Sequence, residues 1–269
     1  MGRKNTCLMY IIYDELNNAL QRFNTLGISN QFDFKKLYLY SIVTHSTAIE
    51  GSTVTEIENA LMFDEDIVPS GRNLTEQLMN LDLKRAYDFV EGLVAERPEI
   101  TLELLRRLSA LVMRNTGSTY TTALGEFDSS AGDFRLLNVS AGRGGRSYLS
   151  YQKVPGKLEE FCRWLNGARR EKYEEAASVY AFSFEAHYRL VSIHPWVDGN
   201  GRTARLLMNM LQMERHLLPS ILLKEHKAGY IEALAQSREA EDSAIFVEFM
   251  MGEIVGFLRQ SIEDFLKTL

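Results

Sequence analysis

Apolar positions recur every three or four residues along most of this chain, the spacing that gathers them on one side of an α-helix. Leu16, Leu20 and Phe23 form one such side and predict a helix over Tyr10–Phe23. A second helix is predicted from about Phe34 to Glu50, stopped by Gly51, the residue type best suited to the left-handed turn that follows a helix. The same periodicity predicts helices near Glu76–Glu96, Leu102–Thr116, Lys157–Asn166, Ala176–Ile193, Gly201–Leu218, Lys227–Arg238 and Ala244–Leu269. The five prolines (Pro69, Pro98, Pro155, Pro195 and Pro219) fall at boundaries, where a missing N–H does least harm.

One stretch departs from this rhythm. Phe134–Val139 and Ser147–Tyr151 are short and rich in β-favouring residues, and they flank Gly142-Arg143-Gly144-Gly145, so a β-hairpin is predicted between Asp133 and Val154. Two strands alone are marginal in water, so the hairpin must lie against the helices with an edge left open. No strand–helix alternation, repeat or low-complexity segment is present. The fold class expected is all-α, mainly helical, with a small β-hairpin, and no Pro/Gly/Ser-rich linker divides it.

Composition narrows the function classes. Of 269 residues, 45% are hydrophobic and 25% charged, which fits a globular chain and excludes a disordered or fibrous one. The 30 Lys and Arg against 36 Asp and Glu give a net charge of −6, which argues against nucleic acid or a membrane surface as partner. Arg143 and Arg146 therefore read as a solvated turn tip. Cys7 and Cys162, each in apolar surroundings, make neither a disulfide framework nor a metal site and read as small core residues in a reducing cytosol. No apolar run reaches the roughly 18–20 residues needed to span a bilayer. Arg3-Lys4 before Cys7–Tyr13 imitates a leader peptide, but Asp14-Glu15 ends the run. The expectation is a cytoplasmic, soluble protein.

The chemistry concentrates in His194-Pro195-Trp196-Val197-Asp198-Gly199-Asn200-Gly201-Arg202-Thr203-Ala204-Arg205. A helix must stop ahead of Pro195, and the next begins near Asn200. Gly199, Asn200 and Gly201 thus sit at a helix N-terminus, where unpaired N–H groups and the positive end of the dipole attract an anion. Arg202 and Arg205 share a face of that helix, although cations there oppose the dipole. A multiply charged anion explains both, because guanidinium forks match phosphate oxygens. Asp198 offers a hard oxygen of the kind that holds Mg²⁺ on a polyphosphate. His194, neutral near pH 7, is placed to take a proton from an attacking hydroxyl.

His194–Arg205 resembles the signature of the Fic (Fic/Doc) family, HxFx(D/E)GNGRxxR, with Trp196 in place of Phe. Weaker similarity extends to Trp164-Leu165-Asn166, Ala186–Val191 and Tyr230–Leu234. The resemblance implies a mainly helical enzyme that transfers AMP from Mg·ATP to a Ser, Thr or Tyr hydroxyl of a target protein. By matched position, His194 would be the base, Asp198 the Mg²⁺ ligand, and Gly199, Asn200 and Gly201 the cradle of the α-phosphate, with Asn200 stabilising transition-state charge. Arg202 and Arg205 would hold the β- and γ-phosphates. The hairpin would be the family's flap, docking a target segment by strand addition. His187 reads as a buried, hydrogen-bonded helix residue.

Glu50 is a local oddity, an acid at the end of a helix where the dipole disfavours it. Ser46-Thr47-Ala48-Ile49-Glu50-Gly51 resembles the family's inhibitory motif [S/T]xxxE[G/N], in the class with the inhibitory helix N-terminal to the core. Ser46, Glu50 and Gly51 would then form an intramolecular inhibitor, with Glu50 on Arg205 in the space the γ-phosphate needs. The implied division is an N-terminal helical region over 1–120, a catalytic core over 121–220 and a C-terminal helical cap over 221–269. Self-modification and a homo-oligomer are compatible with this reading. Alternatives are removal of AMP, a related phosphotransfer, or a non-enzymatic helical module that senses ATP.

Overall fold

The computed structural model describes residues 2–141 and 145–269, with side chains from residue 11 onward. Its helices are α1 (Gly2–Thr25), α2 (Phe34–Ile49), α3 (Glu56–Asp64), α4 (Leu74–Val94), α5 (Leu102–Val112), α6 (Val154–Arg169), α7 (Ala176–Ile193), α8 (Asn200–Met213), α9 (Lys227–Ala240) and α10 (Ala244–Lys267). A two-stranded antiparallel sheet, β1 (Thr119–Thr122) and β2 (Gly125–Asp128), sits between α5 and α6. The fold class is mainly helical, as the apolar periodicity implies.

Helix α8 is the axis of the molecule. Asn200 and the unbroken run Arg202–Gln212 are buried, and α2, α4, α5 and α7 pack around it. A helix buried on all sides should be apolar throughout, yet Arg202, Arg205, Asn209 and Gln212 recur at helical spacing on one stripe. The lower members are satisfied by the core: Asn209 donates to Tyr87 Oη at 2.7 Å, and Gln212 donates to Ser183 Oγ at 2.8 Å and Ser220 Oγ at 3.0 Å. The upper members, Arg202 and Arg205, face the site. One hydrophobic cluster runs from Leu16 of α1 to Ile262 of α10, so helices from both ends of the chain share a single core.

Two elements lie outside the sequence expectation. Helix α3 opens on a capping box, in which Thr55 accepts from the Glu58 N–H while the Glu58 carboxylate accepts from the Thr55 N–H. The hairpin expected over Phe134–Tyr151 is a correction: those segments are not strands, and the sheet lies one segment earlier, in the ladder Thr119↔Asp128 to Thr122↔Gly125. Between the expected strands the structure has one isolated bridge, Ser140↔Ser147, together with Tyr148 N–H donating to Val139 O at 3.0 Å. The expected tip at Gly142, Arg143 and Gly144 lies outside the described residues, as does the side chain of Cys7. The cause of the correction is Arg135. It is 1% exposed and donates from Nε to His194 O at 2.8 Å, from Nη1 to Leu137 O at 2.7 Å, and from Nη2 to Leu149 O. A side chain, rather than a ladder of backbone bonds, holds the Phe134–Ser150 loop to the body.

Candidate active site

Helix α7 ends on His194, which adopts a left-handed conformation (φ 52°, ψ 62°) that few non-glycine residues take. Pro195 forces the exit, and the chain turns through Trp196 and Asp198 into α8. Trp196 is fully buried, with its indole N–H donating to Gly132 O at 3.1 Å. The bulky aromatic thus anchors the loop from beneath. Asn200 staples it from within: its carboxamide accepts from Trp196 N–H at 3.1 Å and donates to Trp196 O at 2.9 Å. Its Oδ1 and one of its two Nδ2 protons are thereby engaged on the loop, and its main-chain N–H lies in the first turn of α8.

The two glycines have separate reasons. Gly199 has φ +77°, and a Cβ there would lie 2.7 Å from Met113 Sδ. Gly201 needs openness rather than an unusual φ, since a Cβ would lie 2.8 Å from Glu50 Oε1 and 3.0 Å from Arg205 Nη1. An anion can therefore rest directly on the first turn of α8, whose N–H groups have no partner within the helix. Asp198, at the lip of this turn, accepts from Gly199 N–H at 2.6 Å, and its side chain is 59% exposed.

The arginines differ in how they are satisfied. Arg202 is buried, with Nη2 on Met113 Sδ at 3.2 Å and 3.5 Å from Asp198, while its Nε and Nη1 have no hydrogen-bond partner. Buried guanidinium donors without acceptors are costly, and they suit a ligand rich in acceptor oxygens. Arg205 is fully engaged. Its Nε donates to Ser46 Oγ at 2.8 Å, and Nη2 donates to Ser46 O at 3.0 Å and to Glu50 Oε1 at 2.7 Å. Its Nη1 reaches Tyr230 Oη at 3.4 Å. This is the pair the inhibitory-motif resemblance implies, formed across 155 positions of sequence. Burial works against the Glu50 charge, but the Arg205 charge and hydrogen bond outweigh it and hold the carboxyl below the usual carboxylate range. Gly51 follows with φ +106°, turning the chain away from the helix end.

His194 is neutral at physiological pH for a stated reason: burial, helped by the Arg135 charge, pushes its pKa down to about 4. His187 is fully buried, with Nε2 paired to Tyr230 Oη at 3.1 Å and its ring stacked on Phe246 at 5.0 Å. Burial also drives its pKa well below the ordinary histidine value, so it stays an uncharged core residue. The site therefore brings His194, Asp198, Gly199, Asn200, Gly201, Arg202, Arg205, Ser46, Glu50 and Gly51 together. Sequence reasoning missed three contributors: Arg135, Met113 and Tyr148, whose ring lies 3.8 Å from that of His194. A lone arginine inside the apolar run Phe134-Arg135-Leu136-Leu137 was the available signal for the first; Met113 and Tyr148 have none.

A family model described as Fic/DOC family matches residues 99–212. The protein adenylyltransferase Fic of Drosophila grimshawi is 30% identical over 246 residues, covering 88% of this chain and 45% of that protein. Its counterpart in Drosophila virilis is 30% identical over 249 residues, covering 89% and 46%. The chain thus spans less than half the length of these curated relatives. Among solved structures, a Fic domain-containing signalling protein from Bacteroides thetaiotaomicron superposes with a TM-score of 0.75 at 19% identity, covering 93% of this chain and 97% of that one. Fic-1 from C. elegans superposes with a TM-score of 0.74 at 22% identity, covering 99% and 76%. At such identities the likeness is one of fold.

Proposed function

We propose that the chain is a member of the Fic/DOC family, whose model matches residues 99–212, and that it is a protein adenylyltransferase whose anion site is closed by its own Glu50. In the reaction, His194 takes the proton of a Ser, Thr or Tyr hydroxyl on the target protein. The freed oxygen forms a bond to the α-phosphorus of ATP as the bond to pyrophosphate breaks, leaving AMP on the target. The first-turn N–H groups of α8 stabilise the charge that develops, at no reorganisation cost because the Asn200 staple already fixes them. Arg202 has two donors to spare for the β- and γ-phosphates, and Arg205 becomes available once Glu50 leaves. Mg²⁺, when bound, would neutralise polyphosphate charge, and Asp198 is the exposed hard-oxygen donor that would hold it.

The observation that carries this reading is the Glu50 carboxylate lying on Arg205 directly over Gly201, where a phosphate would rest. A charge-assisted bond of this kind contributes about 1.5–3 kcal/mol. Displacing it therefore costs productive nucleotide binding roughly 10- to 150-fold. Incubation of Glu50→Gly with Mg·ATP should add about 329 Da per transferred AMP in intact-mass spectra, at a rate about 10-fold or more above wild type. Adding His194→Ala should remove about 10²–10⁴-fold of that rate, the usual worth of a general base. A gain of about 80 Da instead would mean phosphate transfer. No gain in Glu50→Gly would overturn the reading.

We assign docking of the target's acceptor segment to the chain around Tyr148, whose ring stacks on His194. The regions 1–120, 121–220 and 221–269 serve as inhibitory, catalytic and capping parts of one body. Among the described residues no helix is long and apolar enough to cross a membrane.

A further inference from the structure

The Phe134–Ser150 loop lays an aromatic ring flat on His194. The centroids of Tyr148 and His194 are 3.8 Å apart and the planes are 17° from parallel. The Arg238 guanidinium of α9 lies over the Tyr148 ring at 4.4 Å and donates from Nη2 to Tyr148 Oη at 3.3 Å. Arg146, from the same loop, donates to Arg238 O at 3.1 Å, so the loop is tied to α9 at two points. The tyrosine main chain is itself fixed, through its N–H on Val139 O at 3.0 Å.

His194 needs such a contact. A histidine base is ordinarily oriented by a carboxylate or carbonyl on its second ring nitrogen. Here the buried Nδ1 has the Val191 carbonyl of α7 nearby but no partner at hydrogen-bond geometry, so that carbonyl alone orients the ring weakly. Stacking can do so: it constrains the face of an imidazole and leaves the edge, where the nitrogens are, free to exchange a proton.

We propose that Tyr148, braced by Arg238, is the positioning residue for His194: its ring holds the imidazole in one orientation and keeps water off one face. This rests on His194 being the base. The charged and titratable groups that face the imidazole are Arg135 from the loop after β2, Arg238 from α9, Glu50 from the end of α2 and Tyr148 itself. Burial and the two arginines disfavour the imidazolium, and the Val191 carbonyl and Glu50 favour it. Uncovering the ring returns water to it, so the cation becomes easier to form.

Two readouts test this, one independent of activity. In an NMR titration of the imidazole resonances, His194→Ala identifies the His194 signal among the five histidines. Tyr148→Ala should raise the His194 midpoint by about one pH unit or more, towards the ordinary histidine value. Tyr148→Phe, which keeps the ring, should leave it unchanged, and Arg238→Gln should raise it by less than Tyr148→Ala. In the Glu50→Gly background, the acid limb of AMP transfer should follow the same order. The plateau rate should fall about 10-fold or more in Tyr148→Ala through loss of orientation, and stay within about twofold in Tyr148→Phe. A wild-type midpoint and plateau in Tyr148→Ala would overturn the proposal, as would Tyr148→Phe behaving like Tyr148→Ala. A shifted midpoint with no AMP transfer in any variant would leave the stack standing and remove the adenylyltransferase reading instead.

Discussion

Replacing Arg135 by methionine tests whether one buried side chain carries the loop that covers the site. Methionine retains much of the stem's bulk and removes the guanidinium, so packing changes little while three carbonyl acceptors lose their donor: His194 O, Leu137 O and Leu149 O. The bond from the Arg135 main-chain N–H to Pro195 O at 3.1 Å does not depend on the side chain and should survive. At a net contribution of about 1 kcal/mol for each lost bond, the cost is about 3 kcal/mol. The desolvation penalty of the guanidinium is relieved at the same time, which offsets part of the further cost of leaving buried carbonyls unsatisfied. For a chain of this size, about 2–4 °C of Tm per kcal/mol gives a fall of about 6–12 °C. The assay is thermal unfolding followed by near-ultraviolet circular dichroism, which reads the buried Trp196 beneath the loop. His194 should also titrate above its wild-type midpoint, because the Arg135 charge opposes its protonation. A Tm within about 2 °C of wild type, with the His194 midpoint unmoved, would refute the claim that Arg135 holds the loop.

Gly199→Ala places a Cβ 2.7 Å from Met113 Sδ on a residue with φ +77°, and should cost about 1–3 kcal/mol in urea unfolding; a midpoint equal to wild type would mean the turn is not constrained. The Glu50 clamp should be sensitive to acid. The folded-state pKa of Glu50 lies below its ordinary value, so its contribution is fully present above pH ~4.5 and is lost as pH falls through the folded value. Wild type should therefore unfold at higher temperature than Glu50→Gln at pH 7, and the gap should narrow as pH falls below the ordinary glutamate value. A gap that widens on acidification would reverse the sign and refute the pairing.

The stretch from His194 to Arg205 was legible in sequence because its parts are covalent neighbours. A proline that ends one helix, glycines that begin another and two arginines three positions apart keep their relations whatever surrounds them, since local backbone geometry alone sets them. The helices were legible for a similar reason, because apolar periodicity records which side of each helix must leave water. The strand-forming bias of Phe134–Val139 was real but misleading: a single buried guanidinium took Leu137 O and Leu149 O, two carbonyl groups of the expected strands. Sequence composition cannot announce such a competition, because it is decided by where the side chain ends up.

Sequence by itself therefore determined the mainly helical class, the turn at His194 and the glycine-flanked start of α8. Tertiary structure alone decided which distant groups complete that turn: Ser46 and Glu50 on Arg205, Arg135 beneath the loop, and Tyr148 and Arg238 over the imidazole. The physical reason is range. Helix formation and capping act over three or four residues, whereas a hydrogen bond or a stacked ring acts over three or four ångströms, and only the packed core brings residues 50 and 205, or 148 and 238, within that distance.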